Sequence, residues 1–230
     1  MDLADLSEKT GLSAEKLWKE ISVMDELQKL PSYLPNAVVF GGTALNKVYF
    51  GDSQRLSYDI DIKCRNWQRC SQKLSKVHKI FAKSKEIYGF ETNSGIKIEL
   101  STSFYNFPIV EREAISLLYY YGYNLAKANI KTYELEVLLA EKIIAFARRG
   151  TAKDLFDIWM GINKKPDEKK LISAIEKIRK RQGVNPYVLL MKNHSVDTDM
   201  RKIDVNMIGL DGQSMYKQVK EYLTWLFLKK

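Results

Sequence analysis

Val38-Val39-Phe40-Gly41-Gly42-Thr43-Ala44 and, further on, Arg55-Leu56-Ser57-Tyr58-Asp59-Ile60-Asp61 are the stretches whose reading decides the fold. Val38, Val39 and Phe40 are β-branched or aromatic and form a short buried strand. Gly41-Gly42-Thr43 turns the chain, and a helical stretch is expected from Ala44 to about Phe50. The residues after Ser57 lead into a second strand, at about Tyr58–Lys63, that carries two alternating carboxylates. A strand, a glycine turn, a helix start and an Asp-x-Asp pair are the parts needed to hold a nucleoside triphosphate with its metal ions.

Asp59 and Asp61 stand two apart on a strand, so both side chains emerge on one face, about 6–7 Å apart at the backbone. Two carboxylates that close repel unless a cation lies between them. Magnesium suits the pair, because it is hard, takes oxygen ligands and bridges carboxylates to substrate phosphates. Gly95-Ile96-Lys97-Ile98-Glu99-Leu100 alternates with period two and reads as a strand able to lie beside the first acids. On it, Glu99 is either a third acid, as metal ligand or general base, or one half of a surface pair with a lysine. Gly41 and Gly42 let the backbone take positive φ and let phosphate approach closely, while the Thr43 hydroxyl and the following N–H groups can meet triphosphate oxygens. The turn alone is a weak signal; Thr43 lying sixteen residues before Asp59 strengthens it. Arg55 and Ser57 can hold phosphate or fix the acidic strand, and Arg55 can equally form a surface ion pair.

Around these segments the expected organisation is α+β: a mixed α/β half over residues 1–125, with helices at its start, and an α-helical half over residues 126–230 that completes the active site. Ser7 and Ser13 are read as caps of two N-terminal helices, and Pro31 and Pro35 as brackets of a loop. Trp67–Ile87 is read as one helix with Arg69, Lys73, Lys76 and Lys83 sharing a face. In the second half, helices are expected over Thr132–Arg149, Ala152–Ile162, Glu168–Gln182 and Gly212–Lys230.

A second constellation lies on those helices. Lys142 can reach a phosphate as a point charge, and Asp154, three residues from Asp157 on one helical face, can orient Lys142 or act as a base. Spacing by itself equally allows a structural Lys–Asp bridge between packed helices.

The net charge of +9 favours polyanionic partners. The basic run of Lys169, Lys170, Lys177, Arg179, Lys180 and Arg181 is either a backbone-holding face or a solvated one, and Tyr119, Tyr120 and Tyr121 are base-stacking or core residues. Two cysteines, Cys64 and Cys70, and two distant histidines, His78 and His194, make neither a disulfide framework nor a zinc site. No apolar h-region follows the acidic start, and no stretch of about 18 apolar residues could span a membrane, so a cytoplasmic location is expected.

The order and spacing of Phe40-Gly41-Gly42-Thr43-Ala44-Leu45, Arg55-x-Ser57-x-Asp59-Ile60-Asp61, Lys97-Ile98-Glu99, Glu141-Lys142 and Lys153-Asp154-Leu155-Phe156-Asp157 resemble the AbiEii/AbiGii-type toxin family of nucleotidyltransferases over roughly residues 36 to 160. The resemblance implies a DNA-polymerase-β-like catalytic fold, Mg-dependent nucleotide transfer from a triphosphate, tRNA 3′ ends as acceptors and a cognate antitoxin. It carries Asp59 and Asp61 over as metal ligands, Gly42, Thr43 and Lys142 as triphosphate contacts, and Asp154 as an essential acid. Transfer to a small molecule or protein hydroxyl, or RNA binding by an inactive fold, are the competing expectations.

Overall fold

The computed structural model describes residues 3–124, 127–183, 185–186, 196–204 and 210–229. It divides into two compact units, Met1–Tyr133 and Glu134–Lys230. The boundary expected at residues 125 and 126 lies outside the described residues. One strand of the first unit lies beyond that point, ending at Tyr133.

The first unit opens with helices α1 (Leu3–Thr10) and α2 (Ala14–Tyr33). Ser13 caps α2, its side chain accepting from the Lys16 N–H. Ser7 lies inside α1 instead of capping it, and its hydroxyl donates to the Leu12 carbonyl at 2.7 Å. α2 runs through Pro31 to Tyr33, where a loop was expected. Proline sits in the last turn of the helix, close to where the chain leaves it.

Seven strands follow: β1 (Val38–Phe40), β2 (Asp59–Lys63), β3 (Lys79–Lys83), β4 (Ile87–Glu91), β5 (Lys97–Ser101), β6 (Ile109–Ile115) and β7 (Lys127–Tyr133). They form one mixed sheet in the order β3-β4-β5-β2-β1-β7-β6. β2 pairs with β5, and β1 with β7, in parallel; the other pairings are antiparallel. Ile60, Ile62, Ile98 and Leu100 are fully buried, while the alternating acids of β2 and β5 point to the other face. α2 packs on β7, and helix α4 (Trp67–Val77) on β4 and β5. The expected helix over 67–87 thus ends at Val77. Lys79–Lys83 instead pairs with β4 at the sheet edge, which removes Lys83 from the face shared by Arg69, Lys73 and Lys76. Periodicity over a short run does not separate these alternatives; the partner strand does.

Between β1 and β2 the chain is helical from Gly41, first as a four-residue α turn, α3 (Gly41–Ala44), and then as a π-helical segment over Leu45–Phe50. This segment is held from inside. Lys47 forms a fully buried ion pair with Glu20 of α2, and the Ser116 hydroxyl donates to the same carboxylate oxygen at 2.5 Å. Leu6, Leu12, Leu17, Leu56, Leu117 and Leu118 make a cluster against which Tyr119 and Tyr121 pack. That assigns these two tyrosines to core packing.

The second unit is helical: α5 (Leu135–Arg149), α6 (Ala152–Asn163), α7 (Glu168–Gln182) and α8 (Gly212–Leu228). α5 packs on α6 and α7, and α6 on α8. The helix expected from Thr132 begins at Leu135, because Thr132 and Tyr133 complete β7, where the Thr132 hydroxyl donates to the Val39 carbonyl at 2.7 Å. Among the described residues no helix is long and apolar enough to cross a membrane.

Candidate active site

The site is built on three neighbouring strands. Register places Asp61 of β2 opposite Phe40 at the end of β1 and opposite Glu99 of β5. Asp59 lies one step earlier on the same face, opposite Lys97. Asp59 is exposed, whereas Asp61 and Glu99 are half-buried. The parallel pairing of β2 with β5 therefore gathers the two halves of the expected acid set on one face, although forty residues separate Asp59 from Glu99.

The glycine turn meets these acids directly. Gly41 has φ +70°, and a Cβ added there would lie 2.1 Å from Asp61 Oδ2. The Asp61 carboxylate thus rests against the bare Cα of Gly41, a contact that any side chain would exclude. A Cβ on Gly42 would lie 2.5 Å from a guanidinium nitrogen of Arg55. Arg55, Ser57 and Thr43 are all buried. The Thr43 hydroxyl donates to the Asp59 carbonyl and lies 2.9 Å from Ser57 Oγ, and the Ser57 hydroxyl donates to Asp59 Oδ1 at 3.2 Å. Arg55 donates from Nη1 to the Leu56 carbonyl at 3.1 Å. Thr43 and Ser57 are thus bonded to Asp59 of the acidic strand, whereas this Arg55 bond stays within the segment that leads into it.

Asn46 was not legible as a site residue. Its amide donates to the Gly42 carbonyl at 2.8 Å and its Oδ1 accepts the Arg55 N–H at 2.8 Å, tying the glycine turn to the segment that leads into β2. Nothing in its sequence position signals this, since the partner backbone lies nine residues away.

A metal fits this face in a limited sense. Among the described residues no three His, Cys, Asp or Glu side chains converge as a closed metal-binding group. Mg²⁺ does not need one: it keeps waters and is held by one or two carboxylates together with substrate phosphates. The Asp59–Asp61 pair, oxygen-only and partly solvated, has that donor chemistry.

The second unit carries its own cluster. Lys142 Nζ lies 3.2 Å from Asp154 Oδ1 and 2.8 Å from Asp157 Oδ2. Arg149 grips Asp154 with two bonds, Nε to Oδ2 at 2.6 Å and Nη2 to Oδ1 at 2.8 Å, and the Thr151 hydroxyl donates to Oδ2 at 2.7 Å. Burial alone would push the Asp154 carboxyl up. Arg149, Lys142 and Thr151 outweigh burial and hold it down at about 2. Thr151 was legible in principle, because a threonine three residues before an acid at a helix start is a capping pattern, and Thr151 caps α6. On α7, Lys170 pairs with Glu134 and Arg179 with Glu176, so part of that basic run has carboxylate partners.

The cysteines depart from expectation. Cys64, just past β2, and Cys70, one turn into α4, are joined as a disulfide that closes the short connection between strand and helix. His78 Nε2 lies 3.2 Å from the Tyr33 hydroxyl and 3.3 Å from Glu26; His194 lies outside the described residues.

Comparison with solved structures finds the nucleotidyltransferase toxin MenT4 of Mycobacterium tuberculosis H37Rv at a TM-score of 0.77 and 15% identity, covering 99% of this chain and 90% of that one. JHP933 from Helicobacter pylori follows at a TM-score of 0.52 and 16% identity, covering 95% and 94%. At such identities the likeness is one of fold. Comparison with curated proteins found no match. The family described as the nucleotidyl transferase AbiEii toxin of type IV toxin–antitoxin systems matches residues 25–221, a span that takes in the glycine turn, both acid strands and the helices α5 to α7. The chain belongs to the AbiEii family and is a nucleotidyltransferase toxin of the type IV toxin–antitoxin class.

Proposed function

We propose that the face formed by Asp59, Asp61 and Glu99 transfers a nucleoside monophosphate from a triphosphate to an acceptor hydroxyl, that Mg²⁺ is the ion used, and that the acceptor is a tRNA 3′ end. The observation that carries this reading is the contact between the Asp61 carboxylate and Gly41, with Glu99 in register beside it. It sets the acidic face directly against the glycine turn, with the Arg55 guanidinium against Gly42.

Asp59 and Asp61 would hold the divalent ion, which supplies charge neutralisation for the α-phosphoryl group and the departing pyrophosphate. Gly41 and Gly42 give the triphosphate close approach to main-chain N–H groups. Thr43 and Ser57 act through Asp59: one anchors its carbonyl, the other donates to its carboxylate, so the ligand oxygen keeps its direction. Arg55 braces the same segment and offers a cation for phosphate. Glu99 takes the proton of the acceptor hydroxyl as its oxygen bonds to the α-phosphorus and the bond to pyrophosphate breaks. Lys142 is a phosphate contact whose ammonium the carboxylates of Asp154 and Asp157 hold in place, and Asp154 is the acid that orients it. The toxin role implies restraint by a cognate antitoxin.

The test is transfer of label. The protein is incubated with Mg²⁺ and each labelled triphosphate in the presence of total RNA and total protein. Label in tRNA upholds the reading. Label in protein or a small metabolite moves the acceptor, and no label in any fraction overturns the transfer itself.

A further inference from the structure

A cavity of about 680 Å³ opens in the first unit where the chain leaves β2. None of Asp59, Asp61 or Glu99 lines it, and Arg65 at its rim lies beyond Lys63, the far end of β2 from Asp59. Four cations line it: Arg65 on the loop after β2, Arg69 and Lys73 on α4, and Lys131 on β7. Arg69 and Lys73 stand four apart on α4 and so share a helical face.

The charge here is poorly answered from within. Among the described residues the one carboxylate lining the cavity is Glu111, 4.0 Å from Lys131. Lys131 also donates to the Pro35 carbonyl at 2.9 Å, and Lys73 to the Tyr33 carbonyl at 3.3 Å. Among the described residues Arg65, Arg69 and Lys73 form no ion pair. Four cations against one acid in a shared concavity repel one another unless an anion enters. The basic residues of α7 differ, since Lys170 and Arg179 have carboxylates of their own.

Beside Asn36 and Asn66, the rest of the lining is largely apolar. Leu34, Pro35 and Ile109 contribute to it, and the Phe104 ring stands 5.7 Å from the Arg65 guanidinium. Phosphate alone has no use for such a wall, whereas a ring attached to a phosphate does: it can stack on Phe104 and Arg65 while its phosphate meets Arg69, Lys73 and Lys131. We infer that this cavity binds a nucleoside-phosphate unit at a site separate from the acidic face, either as a free nucleotide or as one unit of an RNA strand.

The experiment measures binding to the full chain in EDTA without triphosphate, so that it does not depend on the acids. The probes are a short fluorescein-labelled RNA, AMP and inorganic pyrophosphate. Arg69→Ala/Lys73→Ala should weaken RNA binding at least about tenfold and lower the salt slope by about 1–2. A charge-matched control outside the cavity, Lys76→Ala/Lys83→Ala, should change affinity less than about twofold. Phe104→Leu, which keeps an apolar side chain, should weaken RNA and AMP while leaving pyrophosphate unchanged. AMP displacing the RNA identifies a free nucleotide; RNA binding that AMP does not compete identifies a strand; both uphold the site. Equal losses from the two double variants would reduce it to diffuse charge, and no binding of RNA or AMP would overturn it. Asp59→Ala should leave this binding intact while stopping transfer, so the two readings fail separately.

Discussion

Gly41 is the residue on which the acidic face depends. Its positive φ disfavours any L side chain, and the nearest atom to a new Cβ would be the Asp61 carboxylate oxygen. Gly41→Ala is therefore expected to cost about 1–3 kcal/mol in denaturant unfolding, and to lower transfer by more than tenfold because the carboxylate must move. Asp59→Ala should behave oppositely. Asp59 is exposed and its bond from Thr43 goes to the backbone carbonyl, which alanine keeps. Transfer should vanish while stability stays within about 0.5 kcal/mol; near-normal turnover would remove Asp59 from the site. Asp154 is a stability residue whatever else it does. Its carboxyl titrates at about 2 in the folded chain against an ordinary 3.8. The stabilisation is thus present above pH 4 and lost as pH falls from about 4 to 2. Asp154→Asn should lower stability at neutral pH by on the order of 2 kcal/mol. Its unfolding free energy should then change less across that acid window than the parent's.

At the scale of elements, the π-helical segment after the glycine turn is positioned by a buried ion pair to α2. Removing one partner leaves the other charge stranded, so Lys47→Met should cost about 3–5 kcal/mol. The double variant Glu20→Leu/Lys47→Met, which strands neither, should recover much of that loss; if it melts as low as the single variant, the pair is not the tether. This element was half legible. Val38–Phe40, the turn and the Asp-x-Asp strand could be read because glycine, β-branched residues and alternating acids constrain the backbone locally. The tether could not, since Glu20, Lys47 and Ser116 are far apart in the chain and each alone reads as a surface residue. The same limit hid β3, β4, β6 and β7. Lys79–Lys83 follows a helical run without a glycine or proline, and only pairing with β4 makes it a strand. Thr132 and Tyr133 look like a helix start until β7 is seen hydrogen-bonded to β6 and β1.

For the whole molecule, a net charge of +9 should make RNA affinity fall steadily with added salt on logarithmic axes, as counterion release requires. A flat response in fluorescence anisotropy would show that charge does not drive the association. What the sequence by itself determined is the local chemistry: the glycine turn, the acid pair, the Glu99 strand, most helices of the second unit and the family resemblance. These follow from spacing along the chain, where backbone geometry is short-ranged. What only the tertiary structure decided is adjacency: Glu99 beside Asp61 through parallel pairing, Lys47 and Ser116 closing on Glu20, Lys142 set against Asp154 and Asp157, and four scattered cations around one cavity. Hydrogen-bond register and packing bring such groups together across long stretches of chain, and no periodicity records which distant residue will arrive opposite.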